Sequence, residues 1–213
     1  MDVKYTGLLC LAIILFGSTL TNGQATRPVA EIFEEAQRLH LGLDQPPDYR
    51  SAFARYQEVI SRDTRHKDAY YNMAHICFAQ KRYDLAAKYY QQVLRIDSED
   101  IDARNNLGTV FFSQGNLKRA KTEYLKVIRL DRDHGKAYYN LAVVYLQEDD
   151  KERAEKAIAE ALRSEPENPD YVRLQAELQG DTGPVSAGTA LAVVSGFAGI
   201  VVGYYFLFGR TGV

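Results

Sequence analysis

Tryptophan is absent from this chain of 213 residues, which contains only two cysteines and two methionines. Cys10 lies in an apolar run near the N-terminus, so Cys77 has no partner for an internal disulfide if that run is removed. A zinc site that needs pairs of cysteines is excluded by the same count. The formal net charge is only −2, so we expect no large basic surface for nucleic acid.

Catalytic motifs are missing as well. The sequence has no HExxH pair, no GxxxxGK phosphate-binding loop and no Gly-x-Ser-x-Gly elbow. The four histidines are scattered, and only His75 is expected to face a groove. Cys77 falls on the apolar face of its predicted helix and is interpreted as a small buried side chain. We expect a protein that is not an enzyme and needs no cofactor or metal. An activity that depends on Cys77 or His75 is the remote alternative.

The N-terminal segment has the pattern of a secretory signal. An apolar run at 8–20 follows Lys4, and Gly23 and Ala25 fit a small-x-small cleavage site. Residues 1–25 are therefore interpreted as a signal peptide cleaved after Ala25. An uncleaved signal anchor is the main alternative, and a buried core helix is a weaker one.

The C-terminal segment is long, apolar and uncharged between Asp181 and Arg210. A helix needs roughly 20 apolar residues to cross a bilayer, and it satisfies its own backbone groups. We therefore predict a transmembrane helix at 185–209, preceded by a short linker at 180–184 that is rich in glycine and proline.

Small residues share one face of this predicted membrane helix. Ser195, Gly199 and Gly203 recur at helical spacing, and the last two form a GxxxG pair. Such faces allow two helices to approach closely in lipid. Helix–helix association in the membrane is therefore one interpretation, and simple helix flexibility is the other.

Between these ends the sequence repeats itself at an interval of 34 residues. The aligned positions hold Met73, Leu107 and Leu141; Ala74, Gly108 and Ala142; Ala86, Ala120 and Ala154; and Tyr90, Tyr124 and Ile158. Full units cover 67–100, 101–134 and 135–168. An earlier unit at 29–66 matches with four extra residues in its turn, and a half unit at 169–179 reads as a capping helix.

Each unit has the spacing of two helices joined by a turn. Apolar residues three and four positions apart mark one helical face in each half. The small residues, such as Ala74 and Ala86, let the paired helices lie close together. One pair cannot bury its apolar faces alone, so neighbouring pairs must stack.

The segments AYYNMA at 69–74 and AYYNLA at 137–142 resemble the first-helix motif of the tetratricopeptide repeat (TPR) family. The resemblance covers the array at 29–179. Arg104 replaces the usual aromatic residue, Glu35 replaces an apolar one, and only Pro166 carries the terminal proline. The resemblance implies an all-α fold, a TPR α-solenoid whose concave side is lined by the first helices, to which the predicted transmembrane helix is added.

The resemblance also indicates which residues face the concave side. They are Tyr71, Asn72, His75, Asn105, Asn106, Thr109, Lys136, Tyr139 and Asn140. Asparagine amides can donate to and accept from a peptide backbone, so a groove for an extended peptide or a helix is one interpretation. Solvated asparagines without a binding role are the other. A basic clamp for a C-terminal carboxylate is not expected, because Asn140 stands where a basic residue is needed.

We therefore expect a scaffold tethered to a membrane by its C-terminal helix. It would bind protein or peptide partners through its concave surface and help assemble an envelope complex. Its repeats would lie on the periplasmic, extracytoplasmic side of a bacterial-type cytoplasmic membrane, in keeping with Arg210 on the opposite side. The alternative is a structural homo-oligomer, driven by the array and by the small-residue face of the membrane helix.

Overall fold

The computed structural model describes residues 27–180, and all regular secondary structure in that range is α-helical. The predicted signal segment, most of the linker and the predicted membrane helix with Ser195, Gly199 and Gly203 lie outside the described residues. The helices are α1 (Val29–Leu41), α2 (Tyr49–Arg62), α3 (Lys67–Ala79), α4 (Tyr83–Ile96), α5 (Ile101–Ser113), α6 (Leu117–Leu130), α7 (Gly135–Gln147), α8 (Lys151–Ser164) and α9 (Pro169–Gln179).

Side-chain caps fix where most of these helices begin. In each case a short polar side chain or an imidazole accepts a hydrogen bond from a backbone N–H in the first turn, which would otherwise have no partner. The capping residues are Asp48, His66, Asp100, Asn116, His134, Asp150 and Asn168.

The turns inside three helix pairs share one backbone geometry. Lys81, Gly115 and Asp149 all have positive φ, at 59°, 74° and 61°. The residue after each donates its N–H back to the helix, as in Asn116 N to Phe111 O at 2.8 Å. Such tight turns make the two helices of each pair antiparallel.

Each helix packs against the next along the chain, from α1 to α9. Close approach depends on small residues: a Cβ atom on Gly108 would lie 2.6 Å from Cε1 of Tyr124. Ala74 and Ala142 occupy the matching places and are fully buried. This arrangement confirms the predicted all-helical solenoid of paired helices.

The core has two parts. One joins α1 and α2 to one side of α3 around Tyr56 and Met73, and the other runs from α3 to α9. Helix α9 closes the second part, because Tyr171, Leu174 and Leu178 are all buried in it. Within residues 27–180, no helix combines the length and the hydropathy that a membrane span requires.

Candidate protein-binding surface

Helices α3, α5 and α7 are linked directly by side-chain hydrogen bonds. Asn106 Nδ2 donates to Tyr71 Oη at 2.9 Å, which ties α5 to α3. Asn140 Nδ2 donates to Asn105 Oδ1 at 3.1 Å, which ties α7 to α5. The structure therefore brings these predicted site residues together along adjacent first helices, but it also uses their amide donors inside the array.

The predicted site residues divide into two groups by exposure. Those that are partly exposed are Tyr71, Asn106, Thr109, Lys136 and Asn140. We call the surface that these five residues form on α3, α5 and α7 the first-helix surface. The buried ones are Asn72, His75, Asn105 and Tyr139, with exposed fractions of 1%, 9%, 8% and 5%. The binding role of every one of these residues remains a prediction, but the buried four offer little area to a partner.

Tyr139 is buried by the capping helix. Its ring stacks on that of Tyr171 from α9, with centroids 5.3 Å apart and planes 26° from parallel. Burial raises the pKa of Tyr139 to about 12. The capping half unit was recognisable in the sequence, and its aromatic residue was the available signal that Tyr139 would be covered.

Thr109 is half-buried and its hydroxyl is already engaged. Tyr124 Oη donates to Thr109 Oγ1 at 3.2 Å, and Thr109 Oγ1 lies 3.3 Å from the carbonyl oxygen of Asn105, one turn earlier. Its role in the described structure is to satisfy the buried Tyr124 hydroxyl.

His75 is held among aromatic rings. The ring centroids of Tyr71 and Tyr90 lie 4.8 Å and 5.8 Å from its imidazole. Burial lowers the pKa of His75 to about 3, so the imidazole is neutral at physiological pH. His75 therefore contributes no positive charge to this part of the array.

The sequence interpretation missed a second histidine here. His40 is 4% exposed, its Nδ1 lies 3.4 Å from Tyr56 Oη, and it is close enough to His75 to lower the pKa of that group further. Burial lowers the pKa of His40 itself to about 4. The position of His40 could not be read from the 34-residue interval, because the extra residues that follow α1 shift the first unit relative to the later units.

Asn72 differs from its counterparts in the next two units. Neither its Nδ2 nor its Oδ1 has a hydrogen-bond partner of good geometry, and both atoms are buried. The amide is nevertheless near enough to the Tyr56 hydroxyl to oppose the rise in pKa that burial imposes on that group. The asparagine that recurs along the array therefore forms a hydrogen bond between helices in two units and is a buried amide without one in the other.

The chemistry available in this region is recognition by hydrogen bonds and aromatic contact. Burial raises the pKa of the Cys77 thiol, which keeps it protonated and weakly nucleophilic. Among residues 27–180, no three side chains of His, Cys, Asp or Glu are grouped so that they could hold a metal ion.

Profiles of known families match two parts of the chain. A profile described as tetratricopeptide repeat matches residues 111–178, and another with the same description matches residues 68–100. A comparison with curated proteins gave no match.

Solved structures share the fold at low sequence identity. The pilF protein of Pseudomonas aeruginosa is 20% identical, with a TM-score of 0.62 over 85% of this chain and 95% of that chain. YrrB, a TPR protein with an unusual peptide-binding site, is 20% identical, with a TM-score of 0.58 over 66% of this chain and 71% of its own.

A third similar structure is the first TPR of Spaghetti (RPAP3), bound to the HSP90 peptide SRMEEVD. It is 19% identical, with a TM-score of 0.51 over 54% of this chain and 91% of that chain. At these identities the structural likeness shows the fold alone. The two profile matches and the repeated helix pairs show that residues 68–100 and 111–178 are tetratricopeptide repeats, and on these residues the chain is a tetratricopeptide repeat protein.

Proposed function

We propose that this protein is a non-enzymatic scaffold that binds an extended segment of a partner protein across the first-helix surface. The observation that carries the proposal is that Tyr71, Asn106 and Asn140 take part in the hydrogen bonds that link α3, α5 and α7. Part of each of these side chains, and of Lys136 on α7, is open to solvent. A segment lying across α3, α5 and α7 could meet aromatic, amide and cationic groups in turn. The buried residues Asn72, His75, Asn105 and Tyr139 are not required to contact the partner segment.

Two of the similar structures support a binding role of this kind. One is a TPR protein with a peptide-binding site, and another holds a peptide. The peptide SRMEEVD ends in acidic residues, and of the five residues of the first-helix surface only Lys136 is a cation. We therefore propose a partner segment that is largely neutral and rich in backbone contacts, rather than one that depends on several charges.

The proposal includes a membrane tether. The uncharged C-terminal run at 185–208 is long enough for a span, and it follows α9 after only a few residues. A signal or signal anchor at 1–25 would place the array on the extracytoplasmic side, where the scaffold would help assemble an envelope complex.

Crosslinking of the full chain in membranes tests the binding proposal. The variant Lys136→Ala/Asn140→Ala alters the first-helix surface, and Lys88→Ala/Gln91→Ala removes the same side-chain types from an outward face of α4. We expect the first variant to lose heterologous crosslinked products and the second to retain them. Equal products from both variants would contradict the proposed surface.

Self-association is the second candidate function, favoured by the GxxxG pair at Gly199 and Gly203. Here the same crosslinking would yield only products between copies of the chain. Gly199→Leu/Gly203→Leu should abolish those products if the predicted membrane helix drives association. The tether itself is tested by alkaline extraction of the chain without residues 1–25, because further deletion of 185–213 should then release the array from the membrane.

A further inference from the structure

Helix α6 has an unusual charge balance for this array. Its fourteen residues include Lys118, Arg119, Lys121, Lys126 and Arg129 but only one acid, Glu123. The array as a whole is not basic, and the matching helix α8 alternates acids and bases along its length. The excess of positive charge is therefore a local property of α6.

The cations of α6 surround an exposed apolar side chain. Lys118, Thr122, Leu125 and Arg129 recur at intervals of four, three and four residues, which places them on one side of the helix. All four are exposed, while Ala120 and the other core residues of α6 are buried on the opposite side. Leu125 has 37% of its surface exposed. We call the face formed by Lys118, Thr122, Leu125 and Arg129 the α6 outer face.

The charges of the α6 outer face are not neutralised. Within residues 27–180, neither Lys118 nor Arg129 forms an ion pair, whereas Lys121 pairs with Glu148 on the flank of the helix. On α8 the matching positions hold Glu152, Lys156, Ala159 and Arg163. There both cations are paired, Lys156 with Glu152 at 2.5 Å and Arg163 with Glu160 at 2.9 Å. On α4 they hold Asp84, Lys88, Gln91 and Arg95, without a leucine. Among α4, α6 and α8, only α6 has unpaired cations on both sides of a leucine at these positions.

We propose that the α6 outer face lies against an anionic lipid headgroup layer, with Leu125 entering the interface and Lys118 and Arg129 contacting lipid phosphates. Cations attract an anionic surface over the Debye length, and an apolar side chain between them adds buried area at the interface. The face is a single helix wide and centred on one leucine. It therefore suits a planar headgroup layer better than the shaped contact that a protein partner requires.

The proposed tether would favour this contact, because it would hold the array close to the bilayer, but the contact itself depends only on the charges and the leucine of α6. Helices α5, α7 and α9 run in one direction, since each is connected to the next through an antiparallel neighbour. The N-terminal end of α6 with Lys118 therefore lies at the end of the stack where α9 reaches Gly180 and the chain continues toward 185–208. The tether would therefore begin at the Lys118 end of the α6 outer face, about 16 Å along the helix from Arg129.

Vesicle experiments with the full chain test the proposal. A polarity-sensitive dye is attached to Leu125→Cys, or to Gln91→Cys at the matching place on α4, after Cys10→Ser and Cys77→Ala remove the native thiols. The vesicles consist of phosphatidylcholine, with or without phosphatidylglycerol. We expect the dye at 125 to report an apolar environment only with the anionic lipid and at low salt, and the dye at 91 to remain in water.

Charge reversal gives the matched comparison. Each cation at an anionic surface changes the partition constant by roughly fivefold, so Lys118→Glu/Arg129→Glu should lower the contact of residue 125 with anionic vesicles at least about 25-fold. Lys88→Glu/Arg95→Glu makes the same change in charge on α4 and should have little effect. Equal effects of the two variants, or a signal that is indifferent to anionic lipid, would overturn the proposal.

The outcomes separate this proposal from the tether. If the chain inserts into neutral vesicles, loses this insertion on deletion of 185–213, and keeps the dye at 125 in water, the tether stands and the α6 proposal fails. If the chain does not insert into neutral vesicles and yet shows salt-sensitive contact of residue 125 with anionic vesicles, the tether fails and the α6 proposal stands. A shift of the dye that requires added membrane proteins would assign the face to an acidic protein and overturn the lipid proposal.

Discussion

The Nη1 atom of Arg104 lies 3.2 Å from Oε2 of Glu123, and both side chains are largely buried between α5 and α6. In the preceding unit the matching positions hold Tyr70 and Tyr89, whose rings stack with centroids 6.4 Å apart. One unit has therefore replaced an aromatic pair with an ion pair at the same place. The replacement is imperfect, because Nε of Arg104 is buried without a hydrogen-bond partner.

Breaking this ion pair should cost more than replacing it. Glu123→Ala leaves Arg104 charged and poorly solvated, so we expect the free energy of unfolding to fall by about 2–4 kcal/mol. Arg104→Tyr/Glu123→Tyr restores the aromatic pair and should be as stable as the natural protein or up to about 2 kcal/mol more stable. Urea denaturation followed by circular dichroism measures both. A Glu123→Ala midpoint equal to that of the natural protein would show that the pair contributes nothing.

The turn position with positive φ offers a stabilising substitution. Lys81 and Asp149 adopt the left-handed backbone that Gly115 adopts at the same place in the unit between them. Since a Cβ atom disfavours that conformation, Lys81→Gly should raise the free energy of unfolding by about 0.5–1 kcal/mol. Lys81→Ala is the control and should give no gain, because it keeps the Cβ atom.

The converse change isolates the backbone effect. A Cβ atom on Gly115 would meet no other atom within 4 Å, so Gly115→Ala introduces no clash. We still expect a loss of about 1 kcal/mol, because alanine is strained at φ 74°. An unchanged denaturation midpoint for Gly115→Ala would show that the turn relaxes to another geometry.

The paired helices could be predicted from sequence because their signals are local and recur. Ala74, Gly108 and Ala142 mark the close approach within each pair, and the structure buries all three. Arg104 could be recognised as a departure from the family pattern, but its partner could not. Glu123 becomes the partner only through the packing of α5 on α6, which brings together residues 19 positions apart.

The candidate site was less predictable, because the same residue has different neighbours in each unit. Asn72 and Asn106 share a position in the repeat, yet Asn106 bonds Tyr71 while Asn72 is buried beside Tyr56. Tyr139 was expected on an open surface and is covered by the end of the array. Periodicity places a residue on a helix face, whereas the ends and insertions of the array decide what covers that face.

Acidification should weaken the N-terminal part of the array. Burial lowers the pKa values of His40 and His75 to about 4 and about 3, below the ordinary value of 6.5. Above pH 6.5 both imidazoles are neutral whether the chain is folded or unfolded, so their stabilising contribution is fully present. As the pH falls below 6.5 the unfolded chain binds protons first, and stability is lost down to the folded pKa values.

The loss should reach about 1–2 kcal/mol for each histidine at pH 5. His75→Phe cannot be protonated and keeps an aromatic ring between Tyr71 and Tyr90, so its stability should depend less on pH than that of the natural protein. Urea midpoints at pH 7.5 and pH 5 make the comparison. Equal losses for the two proteins would show that His75 has the same pKa in the folded and the unfolded chain.

Asn72 and Asn106 allow a paired test of a buried amide. Both lie at the same place in their units, so replacement by alanine gives each the same gain in helix propensity, about 0.5 kcal/mol. Asn106→Ala also removes the hydrogen bond to Tyr71, whereas Asn72→Ala removes a buried amide that has no hydrogen bond of good geometry. We therefore expect Asn72→Ala to be the more stable variant by about 1–2 kcal/mol, and to exceed the natural protein itself. If instead Asn72→Ala loses as much stability as Asn106→Ala, the Asn72 amide must be stabilised by its neighbours or by a buried water as much as Asn106 is by Tyr71. That result would mean that a polar contact of Asn72 stabilises the packing of the first two units.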